Sequence, residues 1–406
     1  MSSAAGTIAW LAARAGTELP VRVRAWDGSE AGPPGGPVVV VRSPRALRRM
    51  LWRPGELGLA RAYVSGDLEV DGDLAEGLRR MPRGGVRRAG RALRPARWAG
   101  VAVAAGLAGK RLGAFGPPPP PPPSELRHAG RPHTRARDRA VIAGHYDLPV
   151  SFYRLILDSS MAYSCGYWDG AADLAEAQHA KLDMVCRKLG LRPGSHLLDL
   201  GCGWGSLTVH AARRRQARVT AVTLSAEQGG YVAGRLREHG LAGRAQVRIQ
   251  DYRDAGPGQY DAIATIEMGE HVGAAGYPGF CAALRGLVRP GGRVLIQQMS
   301  RGRRAPGGGA FIESYIAADM HMRPVGETVA MIERAGLEVL EVESLRPHYV
   351  RTIRAWLANL ERNDAEVRAI IGDERARLWR LYLTGGALAF EEGRMGVDQI
   401  LAARPE

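Results

Sequence analysis

The stretch Asp199-Leu200-Gly201-Cys202-Gly203-Trp204-Gly205 joins one carboxylate to three glycines at alternate positions. A short apolar segment from His196 leads into it, and a helix is predicted to start near Ser206. Glycine lets the backbone bend sharply and lets a ligand lie against bare main chain. A helix start behind such a turn offers unpaired N–H groups and partial positive charge. The chemistry this suits is holding a nucleotide-like ligand at the carboxyl end of a parallel strand. The spacing G-x-G-x-G is not the dinucleotide G-x-G-x-x-G, and the aspartate ahead of the first glycine does not suit a phosphate loop. An ordinary strand-to-helix turn has the same local pattern, so the neighbouring elements must decide.

Those elements alternate. Arg218 to Ser225 reads as a second strand and Tyr260 to Glu267 as a later one, each separated from the last by a helix. Strand–helix alternation predicts a doubly wound α/β sheet. D-x-G-x-G-x-G at the first strand and Thr223-Leu224-Ser225-Ala226-Glu227-Gln228 at the second resemble class I S-adenosylmethionine methyltransferases, which have a Rossmann-like sheet. On that resemblance Asp199, Gly201, Gly203 and Gly205 form the cofactor turn. Thr223, Leu224 and Gln228 grip the ribose or methionine portion, and Asp251 and Tyr252 meet the adenine. Each of these also reads as a helix cap or a core residue.

The chain has 406 residues, is 45% hydrophobic and carries a net charge of +15. It is long enough for two domains. No apolar run is long enough to span a bilayer. The first residues lack a basic region and a cleavage site, which argues against secretion. Four cysteines, at 165, 186, 202 and 281, show neither disulfide nor metal spacing, so no metal is expected. The basic balance predicts an anionic partner.

Residues 1–80 are expected to form a small α/β or α+β domain. Leu19 to Trp26 and Pro37 to Val41 read as strands, with a turn at Asp27-Gly28-Ser29. Ser43 is expected to cap a helix with Pro44 at its first position. Residues 81–140 are expected to be a basic, Pro-rich linker. Arginines recur at 79, 80, 83, 87, 88, 91, 94 and 97, Trp98 sits among them, and Pro117 to Pro123 is an unbroken run predicted to be an extended spacer. The segment reads either as a surface that docks on anionic phospholipid or as a solvated linker. Nucleic-acid binding is disfavoured, because the arginines lack interleaved aromatics and a recognisable RNA module.

From residue 141 onward several ordered motifs occur. They are His145-Tyr146-Asp147-Leu148, Phe152-Tyr153 with Leu157-Asp158, Met161 to Trp168, the glycine turn, Glu267-Met268-Gly269-Glu270-His271-Val272-Gly273 and Arg346-Pro347-His348-Tyr349. Together they resemble the cyclopropane-fatty-acyl-phospholipid synthase family over about 145 to 401. The resemblance implies transfer of the S-adenosylmethionine methyl group to a cis double bond of a phospholipid acyl chain. A base then removes one proton. It implies cofactor contacts from Tyr163 and Ser164. It further implies a bound bicarbonate as base, held by the Cys165 main chain, Glu270, a strand residue and Tyr349. That strand residue is a histidine in much of the family and Gln297 here. Glutamine can donate a hydrogen bond but cannot carry a proton charge. Cys165 also reads as a small buried hydrophobe, and Cys186, Cys202 and Cys281 as packing residues. Proton loss from the transferred methyl gives a cyclopropane, and loss from a chain carbon gives a methylene branch. The expectation is a catalytic domain over 141–406 making cyclopropane acyl chains, with a methylene-branched acyl product or methylation of another alkene lipid as the alternative. It is expected in the cytoplasm on the inner face of the cell membrane, with anionic phospholipid as partner, no nucleic acid, and a homo-oligomer admitted.

Overall fold

The strands β5 (His196–Leu200), β6 (Arg218–Thr223) and β8 (Tyr260–Ile266) are apolar and buried almost throughout. Parallel strands covered on both faces carry this pattern. The computed structural model describes residues 3–14, 17–81, 106–126, 130–145, 148–255, 260–302 and 307–406. The arginines from 83 to 97, Trp98, and Tyr146-Asp147 lie outside these residues.

With β7 (Ala245–Ile249), β9 (Val288–Ser300), β10 (Glu338–Ser344) and β11 (Gly396–Ala403), these strands form a seven-stranded sheet. Its order is β10-β11-β9-β8-β5-β6-β7. The run β9-β8-β5-β6-β7 is parallel, and β11 lies antiparallel between β9 and β10. This is the doubly wound sheet that the strand–helix alternation predicts. Alternate side chains of β5 serve opposite faces. Leu197 joins Leu182, Val185 and Leu207 in one apolar cluster, while Leu198 and Leu200 join Phe280, Leu284 and Ile332 in another. The strand order reverses beside β5, between β6 and β8, and the crevice outside the strand ends opens there.

A four-stranded sheet lies in the amino-terminal part, in the order β2-β1-β3-β4. Its strands are β1 (Arg22–Arg24), β2 (Glu30–Ala31), β3 (Val38–Val41) and β4 (Leu68–Asp71). Val21, Val23, Val39, Val41, Tyr63 and Leu74 form its core. Pro44 does open the helix Pro44–Trp52, but Ser43 does not cap it with its side chain. The hydroxyl donates to Asp67 Oδ1 at 3.0 Å instead.

Contacts divide the chain into two units, Met1–Glu125 with Ile371–Leu388, and Leu126–Ile370 with Ala389–Glu406. The division differs from the expected boundaries at 80 and 140 and from an unbroken 141–406 domain. The long helix Asp364–Glu391 is broken at Gly372, whose φ is +79°, next to the point where the chain changes unit. The proline run is not a free spacer either. Arg49 Nη1 donates to Pro120 O at 2.7 Å, Pro122 is buried, and Ser124 N donates to Glu374 Oε1 at 2.8 Å. Extended polyproline has no internal hydrogen bonds, so its carbonyls are open to such donors.

Candidate active site

The glycine turn follows β5 directly and the helix Ser206–Arg214 starts behind it. Gly201, Gly203 and Gly205 have φ of +77°, +52° and +79°. They serve different purposes. A Cβ on Gly203 would meet nothing within 4 Å, whereas one on Gly205 would lie 2.8 Å from Val232. Gly203 therefore presents bare backbone to the cleft, while Gly205 lets the next helix pack closely. The Asp199 carboxylate is buried and accepts from Thr208 Oγ1 at 2.6 Å. Burial pushes its pKa up to about 6, against the Thr208 hydrogen bond and the Lys181 charge.

The cleft is lined by Tyr163, Ser164, Asp199, Gly201, Gly203, Thr223, Leu224, Gln228 and Tyr252, all expected from the sequence. Gly205 and Asp251 are not among the lining residues. Asp251 caps a short turn by accepting from Arg253 N at 2.9 Å, and it also binds the Arg253 guanidinium. Thr223 Oγ1 donates to Gln228 Oε1 at 2.9 Å and so fixes that amide. The buried Nε2 of Gln228 has no protein partner. An orphaned donor on the cleft wall fits a ligand rich in hydroxyl and carboxylate acceptors. Bare glycine backbone and this amide suit S-adenosylmethionine.

Beyond the cofactor turn stands an aromatic wall. Trp204 meets Tyr153, Tyr153 meets Tyr163, and Tyr163 meets Trp356, with centroids 5.1, 5.9 and 5.1 Å apart. Tyr349 follows at 6.0 Å from Trp356 and packs on Phe390 at 4.7 Å.

The expected catalytic residues do not converge on an open space. Three of the four, Cys165, Gln297 and Tyr349, converge on Glu267, just past the carboxyl end of β8. Cys165 N donates to Glu267 Oε1 at 2.8 Å, and Gln297 Nε2 donates to the same oxygen at 2.9 Å. The Tyr349 hydroxyl donates to Oε2 at 2.5 Å. Gln297 on β9 faces Gln399 on β11 in register, and Gln399 Nε2 donates to Gln297 Oε1 at 2.9 Å. That bond settles which end of the Gln297 amide points at Glu267. Burial raises the pKa of Glu267 above the ordinary 4.5, opposed by its three hydrogen bonds and by buried Lys181. Lys181 Nζ donates to Ser164 Oγ at 2.9 Å.

Glu270 makes none of these bonds. It is buried, and neither carboxylate oxygen has a well-formed hydrogen-bond partner. Weak hydrogen bonding from the Glu270 and Met299 backbone amides and the Arg323 charge favour its ionised form. Burial and the nearby Glu267 push its pKa up to about 8. Cys165 is buried, with Sγ against the carbonyls of Gly166 and Leu345, and burial and Glu267 hold its thiol well above 9. Its contribution is the backbone N–H. Cys186 and Cys202 sit in one apolar cluster and Cys281 in the other. Glu267 and Gln399 are the residues that sequence reading missed. The position of Glu267 at a strand's carboxyl end, in line with the glycine turn, was the available signal. Nothing in the sequence marked Gln399.

The family described as mycolic acid cyclopropane synthetase matches residues 133–400. A probable fatty acid methyltransferase from Pseudomonas putida is 36% identical over 95% of this chain and 92% of its own length. The tuberculostearic acid methyltransferase UfaA1 of Mycobacterium tuberculosis is 31% identical over 95% of this chain and 88% of its own. The cyclopropane-fatty-acyl-phospholipid synthase of Escherichia coli K12 is 31% identical over 69% of this chain and 72% of its own. The cyclopropane synthase MmaA2 of Mycobacterium tuberculosis aligns with a TM-score of 0.62 at 29% identity, over 66% of this chain and 98% of that one. The same figures hold for mycolic acid cyclopropane synthase CmaA1 complexed with SAH and CTAB.

Proposed function

Because this chain belongs to the mycolic acid cyclopropane synthetase family and is a methyltransferase, we propose that it alkylates the cis double bond of unsaturated phospholipid acyl chains. The product is a cyclopropane acyl chain. The observation that carries this reading is one cleft that runs from the glycine turn to Glu267, with buried aromatic rings beside it.

In this reading the Gly201 and Gly203 backbone, Gln228 and Ser164 hold S-adenosylmethionine, which supplies an electrophilic methyl group when bound. An alkene is a weak nucleophile and must be held in line and away from water. Tyr153, Tyr163, Trp204 and Trp356 exclude water, and ring faces stabilise positive charge developing on the acyl chain. Ala317 also lines the cleft.

The amino-terminal unit supports a lipid surface as partner. Leu51, Trp52, Leu107 and Phe115 are exposed, Trp52 and Phe115 by 54% and 55%. Trp52 Nε1 donates to Gly116 O at 3.0 Å, and Phe115 lies against Gly109, so these side chains share a neighbourhood. The exposed cations Arg53, Lys110 and Arg111 belong to the same segments. Aromatic and apolar groups with cations suit an anionic headgroup layer. Among the described residues no helix is long and apolar enough to cross a membrane.

A methylene-branched acyl product is the second reading. It is favoured by the match to a tuberculostearic acid methyltransferase over 95% of this chain and by Gln297 in place of histidine. Mass spectrometry of cis-unsaturated phospholipid vesicles incubated with protein and S-adenosylmethionine tests both. A gain of one CH₂ supports the reaction, and no gain with cofactor bound overturns it. Mild hydrogenation then separates the products, since a methylene branch takes up hydrogen and a cyclopropane resists.

A further inference from the structure

The resemblance implies a bicarbonate between the Cys165 main chain, Glu270, residue 297 and Tyr349, and the structure does not suit one. The Cys165 N–H, the Gln297 amide and the Tyr349 hydroxyl already share one acceptor, the Glu267 carboxylate, at 2.8, 2.9 and 2.5 Å. A carboxylate presents the same planar pair of charged oxygens as bicarbonate. We propose that Glu267 stands where a bicarbonate would sit and is itself the proton acceptor of the reaction, so that this enzyme needs no bound bicarbonate. The inference rests on the alkene methylation proposed above.

Three features favour it. The first is access combined with proton capacity. Glu267 lines the cleft and Glu270 does not. A carboxylate has about four lone-pair sites. Oε1 takes two of the three hydrogen bonds and Oε2 takes one, which leaves Oε2 a lone pair for a proton. Cys165 N–H, Gln297 and Tyr349 act toward Glu267 only as donors, so the carboxylate is the one proton acceptor of this cluster.

The second feature is the backbone. Glu267 has φ +54°, a region that residues other than glycine seldom adopt. Such a conformation costs about 1–3 kcal/mol and is typically kept at functional positions. Its own N–H donates to Gln297 O at 2.6 Å, which pins the strained turn to the next strand. The third feature is Gln297. With its Oε1 engaged by Gln399, its NH₂ end faces Glu267, and an amide cannot draw the proton away.

The step assigned to Glu267 is the last. A C–H bond of the alkylated chain breaks, and its electron pair closes the ring or a double bond at the cationic carbon. The proton goes to Glu267, converting carboxylate to carboxylic acid.

Bicarbonate binding to the protein without cofactor or lipid is read by line broadening of ¹³C-bicarbonate. Turnover is read in buffer freed of carbon dioxide. Wild type is expected to leave the bicarbonate line sharp and to keep its rate without bicarbonate. Glu267→Gln, which keeps shape and one acceptor oxygen while its NH₂ can donate to the Tyr349 hydroxyl, is expected to lose at least about 100-fold in rate, the range of a general base. Its cofactor affinity is expected to change less than about 3-fold, well within the energy of one hydrogen bond. Glu267→Gly suits the positive φ, empties the anion position, and is expected to broaden the line and regain part of its rate with added bicarbonate. A wild-type enzyme that needs bicarbonate overturns the inference, as does equal broadening by wild type and Glu267→Gly, or full activity in Glu267→Gln. If no lipid is turned over, the proposed reaction fails separately, while the binding contrast still decides whether Glu267 fills the anion position.

Discussion

Asp67 in the amino-terminal unit is a buried carboxylate and Glu267 in the catalytic unit a partly buried one on the cleft wall, and their surroundings are opposite in kind. Asp67 is held by cations. Arg49 Nε donates to it at 2.9 Å and Arg45 Nε at 3.1 Å, with the Ser43 and Ser65 hydroxyls at 3.0 Å. Burial pushes its pKa up, but Arg49, Ser43, Ser65 and Arg45 outweigh that and hold it below the ordinary 3.8. Glu267 has three uncharged donors, and burial wins, so its pKa is raised. Direct cationic partners lock a carboxylate in its charged form, whereas neutral donors orient it and leave it able to take a proton. One arrangement suits structure and the other suits chemistry.

That contrast can be broken in order of size. Asp67→Ala leaves Arg49 buried and uncompensated, a loss of about 3–5 kcal/mol. Denaturant unfolding measures it, and a loss under 1 kcal/mol would show that the pair is solvated. Glu267→Gln should cost little stability, about 1 kcal/mol or less, since a neutral isostere replaces a partly buried charge. It should still cost at least about 100-fold in turnover, near 2.7 kcal/mol of barrier. A variant that unfolds instead would make Glu267 structural like Asp67.

The pH dependence of stability separates the two designs further. The folded pKa of Asp67 is depressed, so its contribution is complete above the unfolded value and is lost as pH falls through the folded one. Asp67→Asn should remove that acid-limb loss. Glu270 is the reverse case, with a folded pKa of about 8 against 4.5 when exposed. The native state then holds a proton that the unfolded state has released, so stability falls as pH rises from 4.5 to about 8. The slope is about 1.4 kcal/mol per pH unit for one proton. Glu270→Gln should flatten this window in thermal unfolding measured at pH 5 and pH 8. An unchanged slope would mean that water reaches Glu270. The smallest effect is expected from Gln228→Ala. It removes one uncharged donor from the cleft and should weaken S-adenosylmethionine binding about 3- to 10-fold by calorimetry. No change would place the ligand away from that amide.

Much of the catalytic unit could be read before any coordinates. The glycine turn, the strands at 196, 218 and 260, and the helix starts are local patterns of apolar period and turn chemistry, and the sheet has them where they were expected. Thr223 and Gln228 line the cleft because they sit at or just past the carboxyl end of β6, and Tyr163 and Ser164 reach it from the loop between two helices. The partners of Asp67 were not legible. Ser43 has the sequence of an N-cap, but a buried carboxylate 24 residues away takes its hydroxyl. Nor was Ile371–Leu388 recognisable as part of the amino-terminal unit, because helical periodicity does not say which core a helix faces.

Sequence alone determined the class of fold, the cofactor turn and the family, since these rest on short motifs whose physics is local. It also singled out Cys165, Gln297 and Tyr349 as candidates. Only the tertiary structure decided what those three groups bind. They come from a loop, a central strand and a helix start, and Glu267, at the carboxyl end of β8, lies 102 residues from Cys165 and 82 from Tyr349. Sheet register then set Gln399 beside Gln297 and aimed the amide. Two glutamates three positions apart look alike in the chain. Packing leaves one without a well-formed hydrogen bond and gives the other three donors, because a backbone turn at φ +54° points Glu267 into the cleft.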